Sequence, residues 1–257
     1  MNLDFTNKVV LITGAAGGFG VDAAKSFAQR GAKLALVDLS LQALEGVAKE
    51  TGLSADKYLL IAADVSKEDN IINYVNKTKE KFGRIDIFFN NAGIEGVVSK
   101  LADYPSEIFN KVIDVNVKGG YLGMKHVLRV MREQKCGAVI NVSSVAGLAG
   151  MPDLSAYVTS KFAIIGMTRS AAVENAPLGI RVNAICPAMI NTRMMRSVEQ
   201  GMGGEEAAQA KAAFEQAIPL GRYGEVEEIS SLVMYLASEE ASFITGVFLP
   251  IDGGFTA

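Results

Sequence analysis

Apolar positions along this chain follow two rhythms. Unbroken runs rich in valine, isoleucine and leucine occur at 8–13, 33–38, 58–63, 84–89, 138–142, 180–185 and 246–251. Runs of this length without polar alternation predict strands covered on both faces. Between them the apolar residues recur at helical spacing: from the glycines at 14–20 to 30, up to about 51, from 66 to about 82, over 106–131, from 157 to a break at 177–179, and over 225–237. Strand and helix in alternation predict one α/β domain over 1–257, a doubly wound (Rossmann), mostly parallel seven-stranded sheet with helices on both faces. The alternation fails at 189–218, which carries Met189, Met194, Met195, Met202 and glycines at 201, 203 and 204 before an alanine-rich helical stretch. An insertion after a strand's C-terminal end is where a small helical lid over a ligand belongs.

Composition narrows the partner. Hydrophobic residues make up 49% of the 257 residues and charged ones 21%, with a net charge of −3. That balance offers no electrostatic footprint for nucleic acid or an anionic membrane, which leaves a small molecule. No stretch reaches the roughly 20 apolar residues of a membrane span, and residues 1–8 hold no apolar signal core, so a cytoplasmic protein is expected. Cys136 and Cys186 lie far apart with no metal-ligand spacing, which fits a reducing compartment and predicts no metal site.

Candidate chemistry gathers at the strand ends. The first strand runs into Gly14-Ala-Ala-Gly-Gly-Phe-Gly20 and then a helix. Glycines there let the backbone approach a pyrophosphate at a helix N-terminus, although a plain tight turn reads equally well from the loop alone. Asp38 ends the second strand, where a carboxylate accepts from adenosine ribose hydroxyls and repels a 2′-phosphate; neither Gly17 nor Leu39 is a cation that would welcome that phosphate, so NAD is preferred to NADP. A helix cap near Leu41 is the alternative use of Asp38. Asp64 can accept from an adenine amino group with Val65 packed on the ring, or cap the next helix. Small residues at Asn91-Ala-Gly93 let a cofactor lie against the backbone. Gly119 and Gly120 inside a predicted helix each cost about 1 kcal/mol relative to alanine, which implies close packing or a local distortion, and Asn116 beside them can bind water through a displaced backbone. Ser144 follows the fifth strand. Tyr157 and Lys161 stand four apart on one helix face, where an ammonium lowers a phenol pKa from about 10 toward neutrality. An ordinary solvated pair is the plain reading of that spacing.

Taken together, Thr13 and Gly14 with Gly18 and Gly20, Asp64-Val65, Asn91-Ala-Gly93, Asn116, Ser144, Tyr157 with Lys161, and Pro187 with Thr192 resemble, in order and spacing, the short-chain dehydrogenase/reductase family over essentially the whole chain. The resemblance implies hydride transfer between a nicotinamide and an alcohol or carbonyl carbon. Tyr157 would be the acid or base, Ser144 would orient the oxygen, and Lys161 would tune the phenol and hold the nicotinamide ribose. Asn116 would hold a water in a relay, and Ile190 and Thr192 would contact the carboxamide. Carried over by position, the cofactor set also takes in Gly14, Gly17, Gly18, Phe19, Gly20, Asp38 and Leu39. It continues through Asp64, Val65, Asn91, Ala92, Gly93 and Pro187. Gly17 and Ala188 depart from residues common in the family, Gly17 from a serine or basic residue and Ala188 from glycine.

A homotetramer, packed through helices 106–131 and 157–176, is a further implication. Segments 88–96 and 222–225 are similar to bacterial reductases of cyclic ketones and diketones. The expected pocket is walled by the 189–202 segment with Met189 and Met195, by 149–154 with Met151, and by Glu95, with Ser144 at the substrate oxygen. Glu95 reads equally as a solvated loop acid. Arg193 and Arg196 could meet an anionic substrate or face solvent, and His126 takes no part. A sugar, steroid or hydroxyacyl dehydrogenase of the same family, or a dinucleotide-binding sensor without turnover, are the alternatives. An extended epimerase would need a larger C-terminal domain.

Overall fold

A strand with no polar face has to be covered on both sides, and the seven apolar runs accordingly form one central sheet. In the computed structural model, which describes residues 3–202 and 204–257, the strands are β1 (Val9–Thr13), β2 (Lys33–Asp38), β3 (Tyr58–Ala62), β4 (Ile87–Asn90), β5 (Gly137–Val142), β6 (Ile180–Pro187) and β7 (Phe248–Ile251). They stand in the order β3-β2-β1-β4-β5-β6-β7, and every neighbouring pair is parallel. The strand side chains alternate between two cores. Val10, Ile12, Leu34, Leu36 and Phe89 pack with Phe27, Leu44, Ile229 and Val233 on one face. Leu11, Ala35, Val37, Phe88 and Val139 pack with Ile71, Tyr74, Val127 and Ala172 on the other.

The covering helices are α1 (Gly18–Ala28), α2 (Leu41–Thr51), α3 (Glu68–Phe82), α4 (Ser106–Val112), α5 (Gly120–Gln134), α6 (Ser155–Asn175), α7 (Arg193–Gly201), α8 (Gly204–Ala217) and α9 (Val226–Ala237). The helix expected from 66 begins at Glu68, because Asp64 first turns the chain by taking the Ser66 amide and bonding its own carbonyl to the Lys67 amide. The 106–131 helix is three pieces, with a π-helical turn at Ile113–Gly119 between α4 and α5. Both implications of the paired glycines hold there, since a methyl on Gly119 would also lie 2.8 Å from the Val65 carbonyl oxygen. The 189–218 segment forms α7 and α8; Gly203, between them, lies outside the described residues. Among the described residues no helix is long and apolar enough to cross a membrane. Cys186 is buried, Cys136 half-buried, and both are free thiols.

Strand order reverses between β1 and β4, where chains leave in opposite directions and a crevice opens beyond the strand tips. Register aligns that edge: Thr13 is level with Asn90, and Asn90 with Asn141.

Candidate active site

At the tip of β1 the chain turns on Gly14, at φ +63°, where a methyl would stand 2.9 Å from the Ala92 Cα; one on Gly20 would run into the Gly14 carbonyl. Only hydrogen fits at both positions. Asn91 fixes the exit of this loop, its Nδ2 donating to the Thr13 and Gly14 carbonyls at 3.0 Å each, while the Thr13 hydroxyl accepts from the Asn91 and Ala92 amides. Helix α1 then starts from Gly17 with no side chain on its first amides, which leaves them free for an anion. Asp38 accepts from the Ala16 amide at 2.9 Å and the Leu39 amide at 2.7 Å. It does not cap α2, because Ser40 does. Asp64 turns the chain rather than capping α3; burial alone would raise its carboxyl, and the bonds from Ser66 outweigh that and hold it below the usual range.

The other end of the crevice is built by β5 and α6. Ser144, two residues beyond a strand that ends at Val142, takes the Ala146 amide on its hydroxyl at 3.1 Å and caps a short turn. Helical spacing sets the Lys161 ammonium 5.2 Å from the centre of the Tyr157 ring. Lys161 is buried, and its Nζ donates to the Val142 carbonyl at 2.9 Å. Burial favours the neutral amine and brings its pKa down to about 8. Tyr157 keeps part of its surface open to the cleft, yet burial pushes the phenol up to about 12; the neighbouring Ser144 hydroxyl opposes this and the Glu95 charge adds to it. The expected lowering of the phenol toward neutrality is therefore not found here: loss of solvation raises it, and the ammonium is directed at a carbonyl and not at the phenol oxygen. Asn116, inside the π turn, clamps the 93–95 loop. Its Oδ1 accepts from the Ile94 amide at 2.8 Å, and its Nδ2 donates to the Ile94 carbonyl at 2.9 Å and to the Ser160 hydroxyl at 3.0 Å.

Between these ends lies a cleft of about 160 Å³, lined by Phe19, Asn91, Gly93, Glu95, Ser144, Met151, Tyr157, Lys161, Pro187, Met189, Ile190, Thr192 and Met195, all singled out from the sequence. Gly14, Gly17, Gly18, Gly20, Asp38, Leu39, Asp64, Val65 and Ala92 are not on its wall. The first six of these form the glycine loop, the start of α1 and the β2 tip, while Asp64 and Val65 follow β3. Val198 and Phe214 also line it. Val198 falls within the 189–202 segment expected to wall the pocket, whereas Phe214, in an alanine-rich stretch, has no signal of its own. Neither lid arginine lines the cleft; Arg193 is exposed, and Arg196 pairs with Glu199 at 2.9 Å. His126 is buried against Glu68, its Nε2 2.9 Å from the carboxylate, away from the site. No group of three or more potential metal ligands occurs among the described residues.

A parallel sheet whose strand order reverses beside a glycine loop, with a tyrosine and a lysine one helical turn apart on a cleft wall, is the architecture of the short-chain oxidoreductases. The chain belongs to the short-chain dehydrogenase/reductase family: a family model described as enoyl-(acyl carrier protein) reductase matches residues 14–256. It is 43% identical to levodione reductase of Leifsonia aquatica over 98% of this chain and 96% of that one. The crystal structure of levodione reductase superposes with a TM-score of 0.94 at 42% identity, covering 97% of this chain and 98% of that one. NAD+-bound xylitol dehydrogenase gives a TM-score of 0.91 at 36% identity, covering 97% and 99%. A 2-(R)-hydroxypropyl-CoM dehydrogenase of Xanthobacter autotrophicus is 39% identical over 98% of this chain and 99% of its own length.

Proposed function

We propose that this protein is an NAD-dependent oxidoreductase interconverting a secondary alcohol and a ketone, with a cyclic, mostly apolar substrate. The observation that carries the reading is one cleft lined both by Ser144, Tyr157 and Lys161 and by the apolar side chains of Met189, Met194, Met195, Val198 and Phe214. Such a wall suits a hydrocarbon ring better than a sugar, whose hydroxyls would be left without partners. The residues at the crevice fit a dinucleotide. The hydrogen-only contacts at Gly14 and Gly20 keep the backbone low, the first amides of α1 are uncapped, and the Asp38 carboxylate is fixed by two amides at the β2 tip. A fixed carboxylate accepts from ribose hydroxyls and repels a 2′-phosphate, which supports NAD over NADP.

When bound, the nicotinamide supplies or takes up the hydride. Tyr157 gives its proton to the ketone oxygen in reduction and removes it from the hydroxyl in oxidation. With the phenol at about 12, the proton-carrying form dominates at neutral pH, and that is the form that donates. Ser144 orients the same oxygen, Lys161 holds the ribose, and Asn116 fixes the loop beside them. Proton transfer of this kind contributes about 10²–10⁴-fold.

The experiment is a screen of cyclic and linear secondary alcohols, sugars and their ketones with NAD(H) and NADP(H), repeated with Tyr157→Phe. NAD-linked turnover on cyclic ketones that drops by at least about 10²-fold in the variant is expected. Equal turnover in the variant would overturn the reading. We also propose a homotetramer, supported by Phe109, Tyr121, Phe162 and Val173 standing exposed on α4, α5 and α6; sedimentation as a monomer would contradict it.

A further inference from the structure

The two lid helices are tied to the body of the protein at a residue behind the cleft. Tyr223, in the connection from α8 to α9, is 3% exposed. Its hydroxyl donates to Glu199 Oε1 of α7 at 2.7 Å, and Arg196 Nη1 holds the other oxygen of that buried carboxylate at 2.9 Å. The Arg196 guanidinium lies 5.3 Å from the centre of the Tyr223 ring, and the Lys211 ammonium of α8 lies 5.7 Å from it. One ring thus receives a cation from each lid helix, in addition to its hydrogen bond.

On the body side the same residue is held firmly. Arg222 Nη1 donates to the Tyr223 carbonyl at 2.9 Å while its guanidinium grips Glu228 of α9 through both nitrogens. Gly224, next along, donates to the Met189 carbonyl at 3.0 Å and accepts from the Asn191 amide at 2.9 Å. The Tyr223 ring packs in one cluster with Met189, Met195 and Phe214, and those three also line the cleft.

From this geometry we infer that Tyr223 and Glu199 form a latch that sets how far α7 closes over the cleft, making Tyr223 a positioning residue for the substrate. A buried carboxylate shared between a guanidinium and a phenol hydroxyl favours one lid position, because opening exposes the ring and strips the carboxylate of a donor. The latch also connects the lid to the 189–191 strap, so lid position and the far wall of the cleft move together. The inference rests on reading the cleft as the substrate site; the latch itself is tested without turnover.

Amide hydrogen exchange on the substrate-free full chain is the test, comparing wild type with Tyr223→Phe, which keeps the ring and loses the hydroxyl. Exchange over 193–201 is expected to speed up by about ten-fold, the worth of one hydrogen bond to a charged group, with β1 to β6 unchanged. Glu199→Gln, which still accepts from the tyrosine, is expected to show a smaller increase in the same segment. With a turned-over substrate, Tyr223→Phe should raise KM several-fold and leave kcat and NADH affinity within about two-fold. Unchanged exchange over 193–201, or acceleration spread evenly across the sheet, would overturn the latch. Failure to find an NAD-linked substrate would remove the functional reading and leave the exchange result standing.

Discussion

Burying the Lys161 ammonium against the Val142 carbonyl is unfavourable for folding, and its pH dependence gives that cost a measurable sign. Below about 8 both the folded and unfolded chains carry the lysine proton, so the penalty acts in full. Between about 8 and the ordinary value of 10.5 the unfolded chain binds more protons, and stability rises with pH. Tyr157 works in the opposite sense between its ordinary 10 and about 12, meeting that window only at its upper end. Lys161→Met is therefore expected to melt above wild type at neutral pH by roughly 5 °C, from a penalty of about 3 kcal/mol at most. The gap should narrow toward pH 10 in paired thermal melts, and a gap independent of pH would contradict the burial account. Legibility at this scale was uneven. Tyr157 and Lys161 could be read because four residues make one helical turn, and Asp38 because a strand end exposes an acid. The direction of the phenol shift could not, since solvation around Tyr157 depends on residues brought in from Glu95, Met151 and the lid.

Among the elements, the π turn at Ile113–Gly119 places Asn116 so that one amide group satisfies both the amide and the carbonyl of Ile94. Asn116→Ala would leave both half-buried and unpaired, at about 1–3 kcal/mol for each group that water cannot reach. Urea unfolding should show that loss with an unchanged dependence on denaturant, while a loss below about 0.5 kcal/mol would mean the 93–95 loop is held by other contacts. Paired glycines in a helical run announced the distortion here, because two unfavourable residues side by side call for compensation. The strands were legible because sheets buried on both faces leave unbroken apolar runs, although β4 begins at Ile87 and not at 84. The lid was legible as an insertion and opaque within. Glu199 reads as one more acid on a polar helix, and nothing along the chain announces that Tyr223 will bury it.

The molecule as a whole couples these parts through the strand order, which sets the glycine loop on β1 and the Ser144–Tyr157–Lys161 wall beyond β5 at one edge of the sheet. A cofactor spanning that edge binds the folded chain alone. At about 100 times its Kd, NADH should add about 2.7 kcal/mol, or roughly 5–10 °C of melting temperature. NADPH should add less than half as much, and Asp38→Ala should bring the two together. Equal shifts in the wild type would contradict the role proposed for Asp38.

Hydride transfer at this site can be followed by isotope. Protein incubated with NADH deuterated at the transferring position of the nicotinamide and a cyclic diketone should yield a hydroxyketone carrying one deuterium on the carbinol carbon by mass spectrometry, with Tyr157→Phe yielding little or none. Reduced product without the label would contradict hydride transfer at this site, and labelled product formed equally by the variant would contradict Tyr157 as the proton donor.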